Sequence, residues 1–470
     1  MLRLYILDVN INQCVFNSKI MADLTSFYKE LHSRDINTRN RLRHMKKHYG
    51  WAVLVACCAM MLGLGMTTNA IGQYFVPVTY DLGFGMGEFT SYYAVRGVFL
   101  VASMTVLNRL LKRFDTRVLL TICFSIQVLC TALMGTFNQV WQWYLAGAVM
   151  GAFLPPVYFV IPPIVLSNWF MKKKGFVIGI ALAFTGVGGA IMNPILASII
   201  ESHGWRTAYF ANAIFAGAVV LPFVMFVIRL NPSDKGLKPY GYETPPEQLG
   251  NDVVDAASGA AVTTDANADL NMHKGVSRET AVRSLSFIAM VLLFIAAGFF
   301  AGFPQHLTAY GIFIGYSATM ASLFLSLSMV GNFTSKLALG YINDKFGGKA
   351  MFFSSLGLTA ASLLLLLAGF GFLPLLILGS LFAGGLLSIS SVAAPLLVHT
   401  VYGSRDYARI FVLLALFSNL FVSFGPPIVG FMFDVSGSYV IPFVVGVVAA
   451  GVAMVLTVAS IKTSKRLTWS

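Results

Sequence analysis

The sequence predicts an all-α membrane protein, twelve transmembrane helices arranged as two six-helix bundles related by pseudo-symmetry. Three observations predict it. The 470 residues are 57% hydrophobic and 11% charged, with a mean hydropathy of +0.76, more apolar mass than a soluble core can conceal. Apolar runs of about twenty residues, the length a bilayer core of roughly 30 Å needs, recur between short polar breaks. Basic residues collect in every second loop, as they do on the cytoplasmic side of a multi-pass protein.

In order, the first six runs are Trp51–Gly72, Thr90–Leu110, Val118–Phe137, Val140–Leu166, Phe176–Ile200 and Thr207–Leu230. The second six are Ser284–Gln305, Ala318–Ile342, Ala350–Gly371, Pro374–Val398, Arg409–Met432 and Tyr439–Ile461. They are continuously apolar, whereas membrane strands would alternate over about ten residues, so helices are expected and not a barrel. Between the two sets, the stretch rich in Ala, Asp, Gly, Pro and Thr lacks an apolar period and reads as a cytoplasmic linker. The expected organisation is a tail over 1–49, a bundle over 50–230, the linker over 231–283, a second bundle over 284–461 and a tail over 462–470.

Of the 32 Lys and Arg residues, all but Arg96, Arg206 and Lys336 fall in the tails, in the loops after spans 2, 4, 6, 8 and 10, or at the span ends that flank those loops. A miscounted span would invert every later loop, so this asymmetry supports both the number and the orientation. Both termini are expected in the cytoplasm and the spans in the cell membrane, with Asp252 of the linker and Lys465 of the tail inside. The formal net charge of +13 then reports anchoring, and no nucleic-acid partner is expected. Cys14, Cys57, Cys58, Cys123 and Cys130 lie in spans or the tail, where no oxidising compartment would pair them. The first apolar run begins only at Trp51, after a basic segment, so no cleavable signal is expected; Met21 offers an alternative start.

Charge inside the bilayer marks chemistry, because it costs about 2.5–3.5 kcal/mol per residue on insertion scales. Lys336 stands eight residues before Asp344, about 12 Å from the cytoplasmic end of span 8, with Asn332 one turn away on the same face. It either binds a substrate or snorkels to the inner interface. Arg96 stands about 9 Å below the outer edge of span 2, where it either lines a cavity or reaches outer headgroups. None of the 19 acidic residues falls in mid-span; Asp81, Glu88, Asp115, Glu201, Asp344, Asp406 and Asp434 sit at edges or in loops. A cavity with cations and no anion prefers a negative substrate. It also lacks a carboxylate to carry protons. Weaker polar candidates are Asn69, Asn419, an interfacial or titrating His306, and Tyr158, a packing or ligand residue beside Pro155, Pro156, Pro162 and Pro163.

Several motifs carry a family resemblance over nearly all of 49–465. After span 8 stands Gly340-Tyr-Ile-Asn-Asp344-Lys345-Phe-Gly347-Gly-Lys349; the matching loop of the first half, 108–117, keeps Arg113 and Arg117 but has Lys112 where the acid belongs. The block Asn168-Trp169-Phe170-Met-Lys172-Lys173-Lys174-Gly175 precedes Gly179, Gly186, Gly188, Gly189 and Pro194. Gly204-Trp205-Arg206, Lys235 to Gly241, and Tyr49-Gly50-Trp51 complete the set. The chain thereby resembles the major facilitator superfamily, in particular its oxalate/formate antiporter and monocarboxylate porter branch. Physically, the glycines are positions of close helix packing, where small residues let backbones approach.

The resemblance implies a latch at Asp344 that caps a neighbouring helix in one conformation, with its first-half counterpart weakened. It places Lys336 where the monocarboxylate branch has a substrate-binding Arg, and Asn332 where proton-coupled members carry Asp. Asn69 replaces a first-helix lysine, and span 11 offers Asn419 where the oxalate/formate antiporters place another lysine. Two absent cations argue against a dianion. The expected function is secondary active transport of a small organic anion, a carboxylate, by exchange or facilitated movement, by a monomer. The alternatives are a membrane sensor that binds an anion without turnover, or a proton-coupled monocarboxylate symporter. No cofactor is expected, and with no P-loop, metal cluster or Ser-His-Asp order among seven scattered histidines, an enzyme is not expected either.

Overall fold

Lipid offers the backbone no hydrogen bonds, so each apolar run must satisfy its own amides and carbonyls, and a helix does so within one segment. The computed structural model describes residues 48–171, 174–242 and 275–464, without the side chains of 107–112, 159 and 408. The expectations for Asp252, Lys465, Cys14, Lys172 and Lys173, and for the side chain of Lys112, lie outside the described residues. Contacts divide the chain into Met1–Ala52 and Val53–Ser470. The first unit contributes only the opening turn of a helix to the described residues; the second carries all the features below.

Helix α1 (Tyr49–Thr68) passes through a 3-10 turn at Ile71–Tyr74 into α2 (Phe75–Leu82). Next come α3 (Met86–Arg113) and α4 (Thr116–Met134), the latter capped by Asp115, whose carboxylate accepts from Arg117 N at 2.7 Å. Helix α5 (Val140–Pro155) leads through a π turn at Pro156–Val160 into α6 (Ile161–Trp169), and α7 spans Lys174–Phe226. Beyond the linker, a short α8 (Arg278–Val282) precedes α9 (Leu285–Phe300), a 3-10 turn at Phe303–His306 and α10 (Leu307–Phe313). Helix α11 (Ala318–Ala368) is followed by α12 (Leu373–Ser388), a π turn at Ile389–Ala393 and α13 (Ala394–Tyr402). Helices α14 (Tyr407–Ser436) and α15 (Val440–Ser464) close the order.

Among the described residues, nine of these runs are long and apolar enough to cross a membrane. Two of the nine, α7 with 53 residues and α11 with 51, would reach about 75–80 Å if straight, far beyond a bilayer. Each is two helices joined across one glycine, Gly204 at φ 80° or Gly347 at φ 81°, a backbone region that disfavours side chains. Helix α3, whose 28 residues include Glu88 and Arg96, is not among these nine.

The internal repeat is visible in where the helices break. The first run of each half carries a 3-10 turn, at Ile71–Tyr74 and at Phe303–His306. The fourth run carries a π turn, at Pro156–Val160 and at Ile389–Ala393, each followed after one residue by proline, Pro162 or Pro395. A proline ring crowds the carbonyl four residues back, at Tyr158 or Ser391, and the widened turn relieves that crowding. The breaks also correct the expected boundaries. The first and seventh runs do not end at Gly72 and Gln305 but continue to Leu82 and Phe313, and α3 begins four residues before Thr90.

Two sequence blocks meet at the end of the molecule from which the linker leaves, called here the linker end. Trp169 Nε1 donates to Arg229 O at 2.8 Å, Asn168 Nδ2 donates to Asn231 Oδ1 at 2.9 Å, and Tyr240 N donates to Trp169 O at 2.8 Å. The opposite or far end holds the turns at 83–85, 314–317 and 437–439 and the break of α7 at Gly204.

Small residues set the closest helix contacts. A Cβ on Gly384 would collide with the Asn332 amide of α11, and one on Gly331 with the Leu381 carbonyl of α12. Gly384→Val should therefore part these helices and lower the apparent melting temperature by the equivalent of about 1–3 kcal/mol or more. Gly357→Ala, also in α11 but with open space around it, should be neutral or stabilising by up to about 1 kcal/mol. Equal melting of the two variants in detergent would contradict the packing role.

Candidate functional site

Arg96 lies ten residues into α3, about 15 Å from its start, deeper than expected because the helix begins at Met86. It is 4% exposed, so it does not reach headgroups, and Nε and Nη2 are buried without a hydrogen-bond partner. Its guanidinium carbon sits 5.4 Å from the centre of the Tyr93 ring, and the Tyr93 hydroxyl donates to Thr68 O at 3.0 Å, which fixes that ring against α1. The helix is held closely on both sides. Gly151 of α5 abuts the Arg96 carbonyl, and Gly97 abuts Ser423 of α14. A buried guanidinium with free donors can take a carboxylate or another anion through paired hydrogen bonds.

Lys336 lies on α11 in the other half of the chain, half-buried, and makes no hydrogen bond or ion pair with a described residue. Asn332, one turn before it, is committed elsewhere. The Ser388 hydroxyl donates to its Oδ1 and lies equally close to its carbonyl, both at 3.3 Å, so the amide faces α12. Asn69 is likewise used in packing, its Nδ2 donating to Thr185 O at 2.9 Å and joining α1 to α7. Gly189 brings α7 against both Asn69 and Met329 of α11.

His306 is fully buried inside the protein. Its Nε2 faces Pro426 O at 2.9 Å, and because a carbonyl only accepts, that nitrogen carries the proton; Nδ1 is left to accept from the Tyr439 hydroxyl at 3.3 Å. The neutral ring is thus fully satisfied. Tyr158 is half-buried in the π turn between α5 and α6, and Asn419 is half-buried on α14, its carbonyl accepting from Ser423 at 3.3 Å.

In the linker-end motif Asp344 is exposed and its carboxylate meets Asn343 Nδ2 at 3.4 Å, while Lys345 lies over the rings of Tyr341 and Phe346 at 5.8 and 5.4 Å. Gly340 is half-exposed, Gly347 makes the break in α11, and Lys349 and Arg113 are exposed. Arg117 pairs with Asp115 at 3.7 Å, so an acid one turn away from the expected place anchors this loop of the first half.

Sequence reasoning missed an aromatic cluster beside Arg96. Tyr74 and Tyr209 stack at 3.8 Å, Tyr92 lies 5.6 Å from Tyr93, and the hydroxyls of Tyr74, Tyr92 and Tyr209 are buried without partners. The available signal was Tyr92-Tyr93-x-x-Arg96, which puts both rings within one turn of the guanidinium. Glu201 and Asp434, read as edge residues, instead contact the other half of the chain at the far end.

Comparison with known proteins agrees with this architecture. The chain is 21% identical to the probable transporter MCH2 of Saccharomyces cerevisiae over 306 residues, covering 64% of this chain and 58% of that one. It is 23% identical to monocarboxylate transporter 13 of Bos taurus over 282 residues, covering 60% and 58%. It is 26% identical to the putative glycerol-3-phosphate transporter 2 of Arabidopsis thaliana over 300 residues, covering 62% and 57%. The match thus spans less than two thirds of each relative's length. Among solved structures, the nucleoside transporter NupG superposes with a TM-score of 0.63 at 12% identity, over 89% of this chain and 99% of that one. The bacterial homolog of the human lysosomal transporter Spinster gives 0.62 at 14% identity, over 90% and 99%. With the family model of the Major Facilitator Superfamily matching residues 53–329 and 285–469, which together take in every helix from α2 to α15, the chain belongs to that superfamily.

Proposed function

We propose that this protein moves a small organic anion, a carboxylate, across the membrane by alternating access, in twelve spans with both termini cytoplasmic. The carrying observation is a pair of unpaired cations in the spans: Arg96, 4% exposed with two free nitrogens, and Lys336, with no acidic partner among the described residues. A buried cation that lacks a counter-ion is stabilised by the substrate that supplies one. The names of the relatives support an anion, since a monocarboxylate and glycerol 3-phosphate both carry negative charge. Asn332 and Asn69, whose amides hold helices together, support the site from behind, and His306 is assigned to the contact between the first run of the second half and α14.

No acid stands in mid-span, and the neutral His306 ring is fully bonded, so transport should be exchange or facilitated movement, not obligatory proton symport. The test is counterflow in proteoliposomes with a panel of labelled monocarboxylates and dicarboxylates. Anion loaded on the opposite side should accelerate uptake, and an imposed pH gradient alone should not drive it. Uptake that follows the pH gradient and ignores internal anion would contradict exchange. Binding without any trans-stimulated uptake would instead identify a sensor.

A further inference from the structure

The far end is closed by the same contact made twice. Asp434, three residues before the left-handed Gly437 (φ 65°), accepts from the backbone N–H groups of Met86 at 2.9 Å and Gly87 at 2.7 Å, the first two residues of α3. Glu201, three residues before Gly204 (φ 80°), accepts from Thr319 N at 2.9 Å and from the Thr319 hydroxyl at 2.6 Å, in the first turn of α11. The receiving positions correspond too. Gly87 stands four residues after the positive-φ Gly83, and Thr319 stands four residues after Gly315. One half lends its carboxylate to the other, and the other lends its own back.

Each acid sits in the last turn of its own helix, where the negative end of the macrodipole disfavours it. Only the helix N-terminus of the other half, with unsatisfied N–H groups and the opposite polarity, compensates. The compensation therefore exists while the far end is closed and disappears when the halves part there. Gln73 Nε2, which donates to Thr308 Oγ1 at 3.0 Å, reinforces the same closure between the first runs of the two halves. At the linker end Asp344 is exposed and caps no helix among the described residues, so the acids of the two ends are in opposite states in this conformation.

We propose that Glu201 and Asp434 form a paired far-end gate, in which two reciprocal carboxylate caps must release together before the far end opens. The gate rests on the alternating-access reading above and names the residues that control one of its two states. The test uses Thr90→Cys as a reporter. Thr90 is fully buried, on the face of α3 that carries Gly87 and Gly97, the two glycines that abut α14. Labelling of this cysteine by a maleimide is followed in the purified, detergent-solubilised full chain, against the protein without the reporter.

Asp434→Asn and Glu201→Gln should each speed labelling about tenfold, the factor a lost charge-assisted hydrogen bond gives, and the double variant should be faster than either. A double variant that melts like wild type yet labels at the wild-type rate overturns the gate. Should the double variant fail to fold, Thr319→Val decides. It deletes only the hydroxyl contact to the Glu201 carboxylate, one charge-assisted bond, and should speed labelling several-fold, up to about tenfold; an unchanged rate again overturns the proposal. Labelling needs no solute, so absent counterflow beside the expected labelling pattern would sink the transport reading alone.

Discussion

With no anion present, an Arg96→Met protein should melt at a higher temperature than the wild type, and added carboxylate should no longer stabilise it. A guanidinium that is 4% exposed with Nε and Nη2 unpartnered is a buried charge without its counter-ion. Replacing such a charge by an apolar side chain of similar length removes a desolvation penalty of order several kcal/mol, while Met keeps most of the packing of the arginine stem. The same change deletes the donors a carboxylate would use, worth about 1.5–3 kcal/mol for each charge-assisted bond, so affinity should fall about tenfold or more. Arg96→Lys should keep the charge and lose the fork, giving weaker binding without the gain in melting temperature. Melting curves with and without a monocarboxylate, at one scan rate, read both effects. A variant that melts lower than wild type and is still stabilised by the anion would make Arg96 a structural residue held by the Tyr93 face.

The membrane-protein fold is legible in the sequence because lipid forces each span to be apolar over its whole length, and the basic loops then order the spans. The helix breaks are less legible. Proline marks the π turn before Pro162, but nothing in Asn69-Ala70-Ile71-Gly72 announces that the first run resumes as Phe75–Leu82. His306 looked like an end because Pro304-Gln305-His306 is the first polar cluster after an apolar run. It is a 3-10 turn inside the protein, made tolerable by Pro426 O and Tyr439. Long-range partners are the hardest to see. Asn332 and Lys336 share a face by helical spacing, yet Ser388, 56 residues on, claims the Asn332 amide. Asp434 and Gly87 lie 347 positions apart, and Glu201 and Thr319 lie 118 apart, so a local reading can only class the acids as span edges.

Lys336→Gln should abolish counterflow while leaving the melting temperature of the empty protein within a few degrees of wild type. The reasoning differs from that for Arg96, because a half-buried lysine can keep its ammonium group hydrated through a flexible stem, so less is gained by removing it. Its value to the protein lies in the bound state. In the transport cycle proposed above, Lys336 on α11, in the half opposite Arg96, is the second cation for a carboxylate and so a reason for it to bridge the two halves. Loss of one charge-assisted contact lowers affinity about tenfold, and loss of the bridging arrangement removes the step that couples binding to rearrangement. Lys336→Arg should keep part of the activity through charge alone. Ligand stabilisation grows as RT ln(1 + [L]/Kd), about 2.7 kcal/mol at a hundredfold excess over Kd, so a tenfold loss of affinity shows directly as a smaller melting shift at fixed anion. If the Lys336→Gln protein is stabilised by the same carboxylate at the same concentration as wild type, the lysine serves only to anchor α11 near the linker end, and Arg96 must bind the substrate without it.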